Sequence, residues 1–224
     1  MGVDGLNRRD FIAATFAVLA VQTDAVFAAS GDAAKSGNAK QTILVVGDSL
    51  SAEYGLARGT GWVALLEQKL ADNHSAVRVV NASISGDTTS GGRSRLPALL
   101  DQHKPDVVVI ELGGNDALRG LPMASTQQNL SEMTRAAQAA GAKVVVVGMQ
   151  VPPNYGSAYA DRFAGLFASV AKANDAALVP FLLRGVADAP NAAELFQPDR
   201  IHPTQEAQAT MLANVWPVLR TILN

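Results

Sequence analysis

The sequence predicts an α/β protein built on a parallel sheet. From Thr42 onwards, short β-branched runs alternate with longer helical stretches, which is the pattern of successive β-α-β units. The runs at residues 107–110 and 144–147 are continuously apolar, as expected of strands that helices cover on both faces. We therefore expect these two strands at the centre of the sheet.

The same alternation gives the order of the elements. Gly141 is a natural helix stop, and Thr204 with Glu206 close behind it is a typical helix start. Strands are predicted at residues 43–46, 77–81, 107–111, 143–148 and 178–181. Helices are predicted at residues 62–72, 92–102, 124–140, 157–174 and 204–223.

Composition excludes several classes of function. With 224 residues, of which 48% are hydrophobic and 17% charged, the chain has the composition of one globular domain. A net charge of −2 without a long basic run argues against nucleic-acid binding, and the lack of cysteine excludes disulfides and thiolate zinc sites. One histidine among the candidate ligands, without paired spacing, argues against a metal site at Asp48, Asp87, Asp116, Asp199 and His202. We expect no metal and no cofactor.

The first residues are typical of a targeting segment. Arg8-Arg9-Asp10-Phe11-Ile12 precedes a weakly polar run at residues 13–21, and Val26-Phe27-Ala28 offers small residues for cleavage. This predicts a twin-arginine export signal at residues 1–28, a linker at 29–40 and the folded domain at 41–224. The alternative is a short amphipathic or buried N-terminal helix. The apolar run is too short for a membrane span, so we expect a periplasmic or secreted protein without stable membrane insertion.

A parallel sheet separates the loops into two sets at opposite edges. Loops that lead from strand to helix lie at the carboxyl edge, where open α/β sheets bind their ligands. His74 and His103 precede the second and third strands, so they belong to the opposite edge. His202 is the one histidine left at the carboxyl edge. That edge contains residues 47–49, 83–87, 113–116, 152–155 and 198–202.

Ser49 is the candidate nucleophile at this edge, with His202 as its base. Asp199 precedes His202 by three residues, and on one helical turn this spacing places both side chains on one side. The carboxylate can then orient the imidazole and stabilise its charged form. Two alternatives remain open from the residues alone: Gly47-Asp48-Ser49 as an ordinary turn, and Asp199 with His202 as a helix-capping pair.

Acyl transfer also requires donors for the oxygen that becomes negative in the transition state. Gly86 lacks a side chain, so its N–H can approach an oxyanion closely, and Asn115 can present an amide N–H. The Ser49 N–H is the third candidate. A tight turn with positive φ, at Gly114, is the alternative explanation for residues 113–116.

Four blocks in order resemble the SGNH, or GDSL-type, hydrolase family. They are Gly47-Asp48-Ser49-Leu50-Ser51, Gly86, Gly113-Gly114-Asn115-Asp116 and Asp199-x-x-His202. Asn81 to Thr88, Arg95 to Leu100 and Pro152 to Gly156 resemble the subgroup of bacterial arylesterases, acyl-CoA thioesterases and lysophospholipases. The resemblance implies a three-layer α/β/α sandwich with a flavodoxin-like sheet of five strands in the order 2-1-3-4-5. It also implies Ser49, Asp199 and His202 as the catalytic residues, with Gly86 and Asn115 in the oxyanion hole.

Two positions depart from the family pattern. Glu53 stands where glycine is common, which adds a charge near the site, and Ala117 replaces a frequent glycine, which stiffens the loop at residues 117–122. For substrate contact we expect residues in the same set of loops, namely Asp48, Leu118, Pro152, Tyr155 and Ile201.

The predicted activity is that of an exported serine esterase without a cofactor. Its substrates are expected to be small aryl or alkyl esters, thioesters or lysophospholipids, hydrolysed through an acyl-enzyme by a monomer. Export argues against acyl-CoA as the natural substrate, because that pool is cytoplasmic. Two alternatives are a carbohydrate O-deacetylase of the same fold and a non-catalytic ligand-binding domain.

Overall fold

The computed structural model describes residues 41–73 and 76–223. The predictions for residues 1–40, which include the targeting segment and the linker, and for His74 lie outside these residues. The strands are β1 (Gln41–Gly47), β2 (Val77–Asn81), β3 (Val107–Glu111), β4 (Lys143–Val147) and β5 (Ala177–Val179). The helices are α1 (Trp62–Asp72), α2 (Thr89–His103), α3 (Gly114–Leu118), α4 (Met123–Ala139), α5 (Ser157–Ala173) and α6 (Gln208–Ile222). Short 3-10 helices cover Pro153–Tyr155, Ala192–Glu194 and Gln205–Ala207.

The five strands form one parallel sheet in the order β2-β1-β3-β4-β5. The predicted fold class and strand order are therefore confirmed. Strand order reverses between β1 and β3, where the last residues of the two strands, Gly47 and Glu111, are paired. Loops that leave a sheet at such a reversal diverge and leave a crevice for a ligand.

Two groups of helices cover the sheet. Helix α1 packs against α6, while α2, α4 and α5 pack against one another in succession. The prediction that β3 and β4 are central is confirmed, since residues 107–111 of β3 and 144–147 of β4 are buried. Burying an aliphatic side chain of this size stabilises a fold by about 1.5–3 kcal/mol, which explains why these runs contain little besides valine and isoleucine.

Helix α2 begins three residues earlier than the sequence indicates. The glycines at its start are poor helix formers, but the Thr88 side chain accepts the Gly91 N–H at 3.3 Å and caps the helix. Strand β5 ends at Val179, and Pro180, which follows it, has no N–H to continue the ladder. Helix α6 begins at Gln208, after the 3-10 turn at Gln205–Ala207, and not at Thr204 as expected.

The loop predicted at residues 113–116 is in fact the start of helix α3. Gly113, and not Gly114, has the positive φ of 121°, a conformation that favours glycine. Asp116 fixes this short helix because its buried carboxylate accepts the Thr89 N–H and hydroxyl and the Thr126 hydroxyl. Helix α3 is thereby tied to both α2 and α4.

Within residues 41–73 and 76–223, no helix is both long and apolar enough to cross a membrane.

Candidate active site

The side chains of Ser49, His202 and Asp199 meet at the carboxyl edge of the sheet. His202 Nε2 lies 2.8 Å from Ser49 Oγ, and His202 Nδ1 lies 2.7 Å from Asp199 Oδ2. An ionised carboxylate only accepts hydrogen bonds, so Nδ1 carries the proton and Nε2 accepts the Ser49 hydroxyl. This arrangement suits the transfer of the serine proton to the imidazole.

Asp199 and His202 are brought together by a turn. Asp199 Oδ1 accepts the backbone N–H groups of Ile201 and His202 at 2.9 and 3.0 Å, and Arg200 has a left-handed φ of 58°. The expectation that one helical turn aligns the two side chains is therefore wrong, although the side chains do pair. Hydrogen bonds from the His202 side chain and from these two N–H groups lower the pKa of Asp199 to about 2. Asp199 is therefore a carboxylate at neutral pH.

Ser49 lies in a turn that directly follows β1. Asp48 Oδ1 accepts the Leu50 N–H at 3.0 Å, and the Asp48 carbonyl accepts the N–H groups of Ser51 and Ala52 at 3.2 and 2.9 Å. The turn and the serine site are therefore compatible: the aspartate closes the turn, and the turn presents the Ser49 hydroxyl to His202.

Three N–H donors lie in the loops around Ser49. The backbone N–H groups of Ser49 and Gly86 have no acceptor within the described part of the chain. Gly86 has a φ of 79°, and its carbonyl accepts a hydrogen bond of 2.7 Å from Arg119 Nη2, which holds this loop against the end of α3. Asn115 stands in the first turn of α3.

The amide of Asn115 is oriented by Asp48. Asn115 Nδ2 donates to Asp48 Oδ2 at 3.0 Å, which uses one of its two N–H bonds. Asp48 is only 3% exposed, and this burial raises its pKa to about 6. Asp48 is therefore not the substrate contact that we expect from the sequence, because its carboxylate is buried and already accepts hydrogen bonds from Leu50 and Asn115.

A second buried carboxylate, Glu111, lies beneath this turn. Glu111 Oε2 accepts the Ser51 hydroxyl at 2.7 Å and the Asp48 N–H at 3.3 Å, and Trp62 Nε1 donates to Ser51 Oγ at 3.2 Å. Complete burial, with the Asp48 charge nearby, raises the pKa of Glu111 well above its usual range. The sequence does not predict that the carboxylates of Asp48 and Glu111 are buried close together, because Glu111 is simply the last residue of an apolar strand.

The other expected substrate contacts are exposed residues in the loops of this edge or at the end of α3, and we call this set the rim. Leu118, Tyr155 and Ile201 are 46%, 37% and 47% exposed, and Pro152 is exposed as well. All large hydrophobic side chains that the described residues leave exposed belong to loops of this edge or to the end of α3: Tyr54, Ile84, Leu118, Leu121, Tyr155 and Ile201. An apolar rim of this kind suits the hydrocarbon part of a substrate.

Glu53 and Tyr54 have roles that the sequence did not indicate. The Glu53 carboxylate is held within its own loop, where it accepts the N–H groups of Gly59 and Gly61 at 3.0 and 2.7 Å. Glu53 also has a φ of 59°, a left-handed conformation that favours glycine. The ring of Tyr54 lies against the imidazole of His202.

The histidine at the end of α2 lies away from these groups. His103 is the last residue of α2, which leads into β3 at the amino edge of the sheet. Within residues 41–73 and 76–223, no three His, Asp or Glu side chains form a group that could hold a metal ion. The imidazole next to Ser49 is that of His202.

Comparison with known proteins agrees with this fold and these loops. The model of the GDSL-like lipase/acylhydrolase family matches residues 45–210, which span all four sequence blocks. Esterase TesA of Pseudomonas aeruginosa is 54% identical over 185 residues, 83% of this chain and 90% of that protein. Thioesterase 1/protease 1/lysophospholipase L1 of Escherichia coli K12 is 43% identical over 170 residues, 76% of this chain and 79% of that protein.

A solved structure shares the architecture as well. The crystal structure described as TesA superposes with a TM-score of 0.78 at 54% sequence identity, covering 81% of this chain and 99% of that one. The predicted resemblance, including the subgroup of esterases, thioesterases and lysophospholipases, is confirmed by these matches. The chain belongs to the GDSL-like lipase/acylhydrolase family.

Proposed function

We propose that this protein is a serine esterase that hydrolyses carboxylic ester and thioester bonds through an acyl-enzyme on Ser49. The observation that carries the proposal is the 2.8 Å contact between Ser49 Oγ and His202 Nε2, with Asp199 on the other imidazole nitrogen. The esterase and thioesterase relatives support the same class of reaction.

The reaction proceeds in two halves. Ser49 Oγ attacks the carbonyl carbon while His202 Nε2 takes its proton, and the imidazolium then gives that proton to the leaving alkoxide or thiolate. Water repeats the sequence on the acyl-enzyme, with His202 again as the base, and releases the acid. Asp199, a carboxylate at neutral pH, stabilises the imidazolium formed in each half.

The N–H groups of Ser49 and Gly86 and the second amide N–H of Asn115 are the donors for the developing oxyanion. Both backbone N–H groups lack an acceptor within the described residues. The first N–H of the Asn115 amide donates to Asp48, which fixes the orientation of the amide. Donors held in this way before the substrate binds need no rearrangement when charge develops.

The substrate class follows from the rim. Leu118, Pro152, Tyr155 and Ile201 present exposed apolar surface at the same edge of the sheet as Ser49, which suits an aryl, alkyl or acyl group. Small aryl and alkyl esters and lysophospholipids fit this surface better than an acetylated sugar, whose hydroxyl groups require several polar partners.

We further propose that the protein is exported and acts as a monomer in the periplasm or outside the cell. The twin-arginine pattern at Arg8 and Arg9 supports export of a mature chain that begins near Ala29. In this proposal residues 1–28 are the signal, residues 29–40 a linker and residues 41–224 the hydrolase domain.

A substrate panel tests the proposed activity. The panel contains p-nitrophenyl esters of increasing acyl length, an acyl-CoA thioester, lysophosphatidylcholine and an acetylated xylo-oligosaccharide, with the Ser49→Ala variant as the matched blank. We expect turnover of the aryl esters, the thioester and lysophosphatidylcholine, and none in the variant. Turnover of the acetylated sugar alone would identify an O-deacetylase, and equal rates in both proteins would exclude Ser49 as the nucleophile.

A further inference from the structure

The ring of Tyr54 packs on the imidazole of His202. The two ring centroids are 4.3 Å apart, and the ring planes are inclined by 37°. Tyr54 remains 50% exposed, so burial of its own surface does not explain its position. Asp199 and Ser49 form hydrogen bonds with the two nitrogens of the imidazole. Tyr54 makes a separate contact with the ring itself.

The backbone holds Tyr54 in place from both sides. On one side, Glu53 has a left-handed φ of 59°, and its carboxylate accepts the N–H groups of Gly59 and Gly61. On the other side, Gln197 Nε2 donates to the Tyr54 carbonyl at 2.9 Å. The backbone at Tyr54 is therefore held both from within its own loop and from the loop that contains Gln197.

Gln197 connects this loop to the loop of the histidine. The same Nε2 donates to the Pro203 carbonyl at 3.1 Å, and the Gln197 N–H donates to the His202 carbonyl at 2.7 Å. A Cβ atom at Gly55 would clash with Gln197 Oε1, and Gly55 has a φ of 70°, so glycine suits this close approach. Through its side chain and its backbone N–H, Gln197 thus links the backbone at Tyr54 to the backbone at His202 and Pro203.

We propose that Tyr54 is a positioning residue that holds the His202 ring and stabilises its cationic form during acyl transfer. The inference rests on the proposed function, in which His202 becomes an imidazolium in each half-reaction. The face of an aromatic ring carries negative charge density and attracts a cation within about 6 Å of its centroid. The attraction is stronger for the imidazolium than for the neutral imidazole, so it favours the transition state over the ground state.

The proposal predicts a specific kinetic effect of removing the ring. In the Tyr54→Leu variant kcat should fall on the order of ten-fold while KM stays within about two-fold. Tyr54→Phe retains the ring and should keep nearly all of the wild-type kcat. Trp216→Leu, which removes a partly buried ring that lies beneath Lys69 and belongs to no part of the site, is the matched control and should leave kcat unchanged.

A series of fluorinated phenylalanines at position 54 isolates the electrostatic contribution. Successive fluorines weaken the negative face while the shape of the ring is nearly kept, so the fold is preserved even if Tyr54→Leu unfolds. We expect kcat to decline in steps from phenylalanine through 3,5-difluorophenylalanine to 3,4,5-trifluorophenylalanine at position 54.

Two outcomes would overturn the proposal. A flat kcat across the fluorinated series would exclude stabilisation of the imidazolium, and a raised KM with unchanged kcat in Tyr54→Leu would make Tyr54 a substrate contact. Neither result touches the proposed esterase function. That function fails only if the wild-type protein is inactive, or if Ser49→Ala retains activity in the same assay.

Discussion

Replacing Asn115 by alanine should damage both catalysis and stability, and the two losses can be worked out separately. In catalysis, the variant loses a donor to the oxyanion, which lowers kcat on the order of 10²- to 10³-fold with little change in KM. In the folded state, Asp48 Oδ2 loses the 3.0 Å hydrogen bond from Asn115. A hydrogen bond to a charged group contributes about 1.5–3 kcal/mol, so Tm should fall by roughly 3–12 °C for a domain of this size.

The stability loss should depend on pH because its cause is a buried carboxylate. Burial raises the pKa of Asp48 from 3.8 to about 6, and the bond from Asn115 favours the charged form. Above pH 6 the wild-type protein has this stabilising bond and the variant lacks it. At pH 4–5 the carboxyl group is largely protonated in both folded proteins, so the difference in Tm should shrink.

The assay combines thermal melting from pH 4.5 to 8 with steady-state kinetics on a p-nitrophenyl ester at pH 8. Asn115→Asp is the matched control: it keeps the size of the side chain, lacks an N–H donor when ionised, and brings a second carboxylate to Asp48. It should lose kcat as alanine does and lose more stability at pH 8. If Tm falls while kcat holds in Asn115→Ala, Asn115 only fixes Asp48, and the oxyanion donors are the backbone groups of Ser49 and Gly86.

Three further predictions concern other parts of the chain. His202→Ala should lower kcat almost as far as Ser49→Ala does, whereas His103→Ala at the amino edge should leave kcat unchanged; a loss of kcat in the latter, with Tm retained, would refute the assignment of edges. Urea unfolding should give a lower free energy at pH 8 than at pH 5, because burial raises the pKa of Asp48 and of Glu111 and both bind a proton more tightly in the folded state; Asp48 accounts for about 1.4 kcal/mol of the difference, and Asp48→Asn should remove that part. Replacing Arg8 and Arg9 together by lysine should leave the precursor in the cytoplasm, and mass spectrometry of the exported wild-type protein should give an N-terminus near Ala29; an exported chain that retains Met1 would contradict the signal.

The fold could be predicted from the sequence because its determinants are local. Apolar runs at β3 and β4, a helix stop at Gly141 and regular alternation suffice to specify a parallel sheet with helices on both faces. The same topology selects His202 over His103, since the end of the sheet at which a loop lies depends only on the order of strand and helix. Thus the pairing of Ser49 with His202 could be expected without any coordinates.

What the sequence did not indicate depends on contacts between distant segments. Glu111 ends an apolar strand, and only the packing of Ser51 and Trp62 over it shows that its carboxylate is buried. Asp48 belongs to the set of loops in which we expect substrate contacts, yet the turn directs its carboxylate inward to Asn115. Tyr54 follows Glu53, whose backbone has a left-handed φ. This conformation favours glycine, so a glutamate in the sequence does not predict it.

Short elements were the least predictable part of the fold. Helix α3 has five residues, and isolated helices of this length are unstable in water. Its stability comes from the buried carboxylate of Asp116, which binds Thr89 and Thr126 on two other helices. Such anchoring cannot be read from residues 113–118, although the position of Asn115 depends on it.

Labelling with a p-nitrophenyl alkylphosphonate tests whether Ser49 forms a covalent bond with the acyl group. The reagent phosphonylates an activated serine and stops there, so digestion and mass spectrometry locate the adduct. We expect one adduct per chain on Ser49, in step with loss of activity, and labelling that is slowed strongly in His202→Ala. An adduct on another residue, such as Ser51 or Ser85, or full loss of activity without an adduct on Ser49, would contradict this expectation.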